Sequence, residues 1–135
     1  MARLMLDTGV LVAAVRGQVD LAAVPDEDDV ALPAVAVADY LAGVLRDDDR
    51  ARQAAQRAFL DEVLAALPVE DYGPAVARHH AELLAHTQRL GQPRGAHDLI
   101  IAATARATGR TLITTDERAR FGALPGLTAR VVALG

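Results

Sequence analysis

The chain has no cysteine, no tryptophan and no lysine, and only two Phe and two Tyr. Each absence removes a class of chemistry. Without cysteine there are no disulfides, no thiolate metal sites and no thiol nucleophile, a composition that suits a reducing cytoplasm. Without lysine, a Walker-type phosphate loop lacks the cation that must follow its glycines. A phospho-acceptor receiver domain would lack its late lysine in the same way. All fourteen basic residues are arginine, whose planar guanidinium suits phosphate recognition. Scarce aromatic rings make base stacking a poor source of specificity and leave burial free energy to aliphatic packing. No stretch is long enough to cross a bilayer without meeting a charge or a helix breaker. Asp7 interrupts the first apolar segment too early for the core of a signal peptide. The expectation is a cytoplasmic protein with no membrane segment.

What is present is aliphatic. Of 135 residues, 52% are hydrophobic, enough for a sizeable core in a single domain over 1–135. The formal charge of −4 gives no general attraction for a nucleic acid. The acids of DEDD (26–29) and DDD (47–49) are expected in loops away from any site, and a bound cation would reverse the local sign around others.

Strand and helix patterns alternate along the chain. RLML (3–6) reads as a buried strand, Thr8 to Val15 as a helix stopped near Gly17, and VAL (30–32) as a second strand. Pro33 then leads into a helix over Val35 to Leu45. Arg50 to Leu67 has helical spacing, with Ala54, Ala58, Val63, Leu64 and Leu67 near one stripe. Pro68 ends it and VEDY is extended. Pro74 opens a helix that runs to Leu90 and closes at Gly91. After the GQPRG loop, Asp98 to Thr108 reads as a strongly apolar helix. TLITT (111–115) is a β-branched buried strand, Glu117 to Phe121 a short helix, and ARVVAL a final strand. Such alternation implies an α/β fold with a parallel sheet covered on both faces. Right-handed crossovers place successive strand ends on one edge, where ligands bind.

Four aspartates stand at the margins of apolar segments: Asp7 in LMLDTGVLVAAV, Asp39 in AVAVADYLAGV, Asp98 in AHDLIIAATA and Asp116 in TLITTDERARF. Taken singly, Asp7, Asp98 and Asp116 read as helix caps. Asp98 strains that reading, because the helix it precedes is apolar on every side and its first turn should be buried. Asp39 lies inside its helix, on a face with Val35, Ala36, Ala42, Gly43 and Arg46. It reads either as an exposed acid or as a carboxylate standing clear in a shallow groove of small residues. Gathered together, the four would form an oxygen-rich pocket for a hard divalent cation. The histidines show no zinc spacing: His79 and His86 are seven apart, with no Cys or third His nearby. His97 is either a loop residue or a substrate contact, and stays outside the catalytic set. A phosphatase with Asp7 as nucleophile would want a second acid two residues on, where Gly9 stands, and a later lysine.

These four segments together resemble the PIN-domain nucleases, and most of all the VapC-type toxins of bacterial toxin–antitoxin pairs. The resemblance covers nearly the whole chain and is carried by LDTGVLVAAV, ADYLAGV and HDLIIAATARATGRTLITTD, with a Phe five residues after the last Asp. It implies a three-layer α/β/α fold with a short central parallel sheet. It implies an acidic cluster that binds Mg2+ or Mn2+ and cuts RNA, with Asp7, Asp98 and Asp116 as metal ligands. Asp39 occupies the position where the family usually carries Glu; one methylene shorter, it is expected to act through a water. Thr114 matches a family Thr two residues before the last acid, and its hydroxyl is expected to orient that carboxylate.

The expected activity is endoribonuclease cleavage by water acidified at the cation and attacking phosphorus in line, catalysed by Asp7, Asp39, Asp98, Asp116 and Thr114. Such chemistry needs no side-chain nucleophile, in keeping with the missing Cys and the absence of a Ser–His–Asp pattern. Of the arginines near the motifs (16, 46, 94, 118 and 120), Arg46 and Arg94 rank highest as substrate-binding groups. Expected partners are an RNA substrate, a cognate VapB-like antitoxin whose tail occupies the acidic groove, and a second copy in a homodimer. Phe59 and Leu60 beside Val63 and Leu64 read either as such a surface or as core. The alternative function is a PIN-like module that binds nucleic acid or protein without cutting, favoured by Asp39 and by the negative charge.

Overall fold

The computed structural model describes residues 1–24 and 27–135. Five strands alternate with helices: β1 (Arg3–Leu6), α1 (Thr8–Val15), β2 (Asp29–Pro33), α2 (Ala34–Arg46), α3 (Arg50–Ala66), β3 (Val69–Glu70), α4 (Pro74–Leu90), α5 (Ala96–Ala107), β4 (Thr111–Thr114) and β5 (Ala129–Val131). The strands pair in the order β3-β2-β1-β4-β5, all parallel. Every strand therefore ends on the same edge of the sheet.

Successive strand side chains point to opposite faces, and this sorts the core into two layers. Met5, Ala31 and Leu112 face α4 and α5, packing with Val76, Leu83, Leu99 and Ile101. Leu4, Leu6, Val30, Leu32 and Ile113 face the other way, toward Val10, Leu11, Tyr40, Val44, Leu60 and Val63 of α1, α2 and α3. The result is the three-layer α/β/α arrangement expected from the pattern. In α3, Leu60 and Val63 are buried and Phe59 packs against the same core; Leu64 alone of that quartet is exposed. The apolar surplus of α3 goes mainly into the core.

At the N-terminal ends of β1 and β2 lies a buried cation. The Arg110 side chain is 4% exposed. Its guanidinium donates to the carbonyls of Leu4 and Asp29, to the Asp29 carboxylate (3.0 Å) and to Glu70 of β3 (3.3 Å). It holds the Asp29 carboxyl below the usual carboxylate range, with Arg3 assisting.

The elements differ from expectation at four places. Asp29 is the first residue of β2 rather than a loop acid, because Arg3 and Arg110 hold it there; Asp26, from the same acidic run, lies outside the described residues. The helix expected from Asp98 starts earlier, at Ala96. Residues 117–120 form no helix: the Asp116 carboxylate accepts the amides of Arg118 and Ala119 as an N-cap would. The left-handed backbone at Arg120 stops the turn from propagating, and a 3-10 turn at Phe121–Ala123 follows instead. The final strand stops at Val131, since β4 ends at Thr114 and its carbonyl makes the last ladder bond, to Val132.

Candidate active site

The edge where the strands end collects the four aspartates by four routes. Asp7 directly follows β1 and is 7% exposed. One carboxylate oxygen accepts the Thr8 amide at 2.8 Å, so Asp7 does cap α1. The other accepts the Thr114 hydroxyl at 2.8 Å. Burial pushes the Asp7 carboxyl above its ordinary value; the bonds from Thr114 and Thr8 pull it back, and the charges of Asp98 and Asp116 push it up again.

Thr114, the last residue of β4, is fully buried. Its hydroxyl donates to Asp7 and accepts the Asp116 amide at 3.0 Å. The orientation expected for the Asp116 carboxylate is thus given to Asp7 instead, while Asp116 is held through its backbone. Asp116 spends one oxygen on the turn that follows and is otherwise exposed.

Asp98 is not a cap. Gly95 occupies the N-cap of α5, with no side chain bonding the first-turn amides, and Asp98 sits in the first turn itself. Its carboxyl is raised, first by burial, then by the charge of Asp116 and, more weakly, Asp39; Arg94 and His97 oppose the shift. Asp39 projects from the middle of α2 and meets His97 of α5, Oδ1 to Nδ1 at 2.6 Å. Asp7 therefore feels the charges of Asp98 and Asp116, and Asp98 those of Asp116 and Asp39. Among the described residues no three His, Cys, Asp or Glu side chains form a ready-made metal-holding group. Burial is the main reason Asp7 and Asp98 are raised, and repulsion from the neighbouring carboxylates adds to it.

The donor set is suited to a hard divalent cation: every acidic group is an oxygen donor, with no sulfur in the neighbourhood. Asp7, Asp98 and Asp116 also carry a mutual repulsion that a cation would relieve. Close packing supports the edge as well. A Cβ on Gly9 in the first turn of α1 would lie 2.8 Å from the Thr115 hydroxyl, so a larger residue there would require the Thr115 side chain or α1 to shift.

This architecture has relatives. A family model for the PIN domain matches residues 4–125. The chain belongs to the PIN domain family. Ribonuclease VapC5 of Mycobacterium tuberculosis is 36% identical over 125 residues, which cover 90% of this chain and 87% of that protein. Ribonuclease VapC of Rickettsia bellii is 24% identical over 131 residues, 97% of each chain. Among solved structures, VapBC-5 of the VapBC toxin–antitoxin family from Mycobacterium tuberculosis superposes with a TM-score of 0.77 at 31% identity, covering 98% of this chain and 99% of that one. VapBC2 from Rickettsia felis, bound to a DNA fragment from its promoter, reaches a TM-score of 0.86 at 24% identity over 96% and 98% of the two chains.

Within this PIN domain the arginines ranked highest in the sequence separate. Arg94 lines a cleft of about 530 Å3 with Asp98 and Asp116. Its guanidinium is occupied by the carbonyls of Ala119 and, at 3.1 Å, Arg120. Arg46 lines a different cleft, of about 400 Å3, beside Arg16, Tyr40 and Arg52, which contains none of the four aspartates. The His97 contact with Asp39 was not foreseen. The one signal in the sequence is its adjacency to Asp98, and adjacency does not reveal a partner 58 residues away. No helix is long and apolar enough to cross a membrane among the described residues.

Proposed function

We propose that the chain is a divalent-metal-dependent endoribonuclease of the VapC type, the toxin of a toxin–antitoxin pair. The observation that carries this is the gathering of Asp7, Asp98 and Asp116 from three separate elements onto one sheet edge. There, two of the carboxyls are raised partly by the charges of the others. Kinship with proteins named ribonuclease VapC supplies the substrate class.

Asp7, Asp98 and Asp116 would hold Mg2+ or Mn2+, with Asp39 completing or orienting the site. Bound there, the cation would supply Lewis acidity toward phosphate oxygens and acidify an attacking water. The chain's own residues prepare the setting. Thr114 fixes the Asp7 carboxylate in one rotamer and pins the backbone of Asp116. His97 holds Asp39 against α5. Gly9 keeps α1 tight against the β4 end. The chain contains no Ser and no Cys, and the hydroxyl of Thr114, bonded to Asp7, is already committed as donor and acceptor.

The partners follow from the same kinship. The VapBC complexes pair a toxin of this fold with an antitoxin, and we assign this chain a VapB-like antitoxin and a second copy of itself. Light scattering should return the mass of two chains.

The deciding experiment is to sequence RNA ends after brief expression of wild type beside Asp98→Asn. New ends with the wild type that vanish with the variant support the reading. Identical ends from both overturn it, and RNA binding without cleavage would establish the non-cutting module instead.

A further inference from the structure

We propose that the cleft between the 91–95 and 116–123 loops holds the sugar–phosphate strand flanking the scissile bond, gripped by Arg118 and Arg120. The inference rests on the ribonuclease reading and names how its substrate is held beyond the acidic cluster.

Four observations meet at this cleft. Asp98 and Asp116 line it together with Arg118 and Arg120. Both arginines are exposed and neither has an ion-pair partner among the described residues. Arg120 has φ +49, the one positive-φ residue other than glycine among those described. That backbone is strained for a residue with a side chain and persists only where the surroundings impose it. Arg94 imposes it, donating both ends of its guanidinium to the carbonyls of Ala119 and Arg120. Arg94 is therefore a positioning residue: it clamps the loop so that the next two arginines border the cleft. Across from them α5 begins at Gly95 with no side chain capping its first-turn amides, which adds positive potential to the same space.

A phosphodiester strand fits this chemistry better than an acidic peptide. Guanidinium groups match phosphate oxygens bidentately, and the cleft wall next to the reacting edge is where flanking phosphates must lie. The cleft contains no aromatic ring, so it would hold backbone without choosing bases.

The test is steady-state cleavage of a short single-stranded RNA by wild type, Arg118→Gln, Arg120→Gln, Arg120→Lys and Arg120→Gly, across a range of salt. Each Gln variant should raise KM about tenfold, with the loss in kcat/KM carried by KM. Each should also reduce the dependence of log KM on log salt by about 0.7, the value for one phosphate contact on a single strand. Arg120→Lys should recover most of the salt dependence. Arg120→Gly should melt at a higher temperature yet bind as poorly as Arg120→Gln, which separates phosphate contact from backbone strain. Unchanged KM and salt slope would overturn the proposal, as would a fall in kcat alone. If the wild type cuts nothing, the ribonuclease reading fails by itself. Fluorescence anisotropy of a labelled oligouridylate then decides the cleft: weaker binding by the Arg118→Gln/Arg120→Gln double variant supports it, and equal binding sinks it. Binding of an acidic peptide to these arginines in place of the oligonucleotide would also overturn it.

Discussion

Thr114 is the single side chain on which two of the aspartates meet. It donates to Asp7 and accepts from the amide of Asp116, so its removal should be felt at both. Thr114→Val preserves shape and deletes both bonds. Removing a group that orients a metal-binding carboxylate typically costs about 10- to 100-fold in activity, and the loss of cleavage by the variant should fall within that range. The Thr114 bond lowers a carboxyl that burial raises. Without it Asp7 should take up a proton at higher pH, and the acid limb of the pH–rate profile should move upward. Thr114→Ser should restore both rate and limb. A variant with wild-type rate and profile would remove Thr114 from the working set.

Between elements, the contact that matters most for the site is the first turn of α1 against the end of β4. Gly9→Ala places a methyl 2.8 Å from the Thr115 hydroxyl, so the Thr115 side chain or α1 must give way. Overpacking of this kind costs about 1–3 kcal/mol. Urea unfolding should show that loss, and Thr115→Ala should recover most of it; additive losses in the double variant would mean the two do not touch. At the other end of the sheet, Arg110 ties β1, β2 and β3 together. Arg110→Met would leave the carbonyls of Leu4 and Asp29 without this donor, and its urea midpoint should fall by the equivalent of about 1–3 kcal/mol. Because that end is remote from the aspartates, the folded fraction should still cut RNA.

For the molecule as a whole, pH acts in two directions. Asp7 and Asp98 hold protons more tightly when folded, so the stability they contribute is present at low pH and lost as pH rises through their raised values. Asp29 and Asp47 behave oppositely. Their contribution is present above the ordinary carboxylate value of about 4 and is lost as pH falls through their lowered values, about 2 for Asp47, which Arg52 holds down. Melting temperature without divalent metal should therefore rise on mild acidification from neutrality, then collapse in stronger acid. Mg2+ or Mn2+ should raise it most at neutral pH, where the carboxylates are charged, because a ligand that binds only the folded state stabilises it by mass action. Asp98→Asn should melt above wild type in metal-free neutral buffer and lose most of the metal response. A melting temperature indifferent to metal at every pH would count against a cation site.

The order of elements, the parallel sheet and all four aspartates were legible in the chain itself, because hydrophobic period and strand–helix alternation are local properties of sequence. Short apolar strands (RLML, VAL and TLITT) alternating with helices were enough to assign two covered faces. The side-chain pairings were not legible: Asp39 with His97, Arg94 with two carbonyls of a distant loop, and Thr114 with Asp7 across 107 positions. Nor was the turn after Asp116, where a helix was expected, since the left-handed backbone at Arg120 that ends it is bonded by Arg94 from a distant loop. Sequence alone determined which side chains lie at strand and helix ends, since those ends are written in the periodicity. Only the folded sheet decided which of them face one another, because a carboxylate's partner is chosen by distance through space and not along the chain.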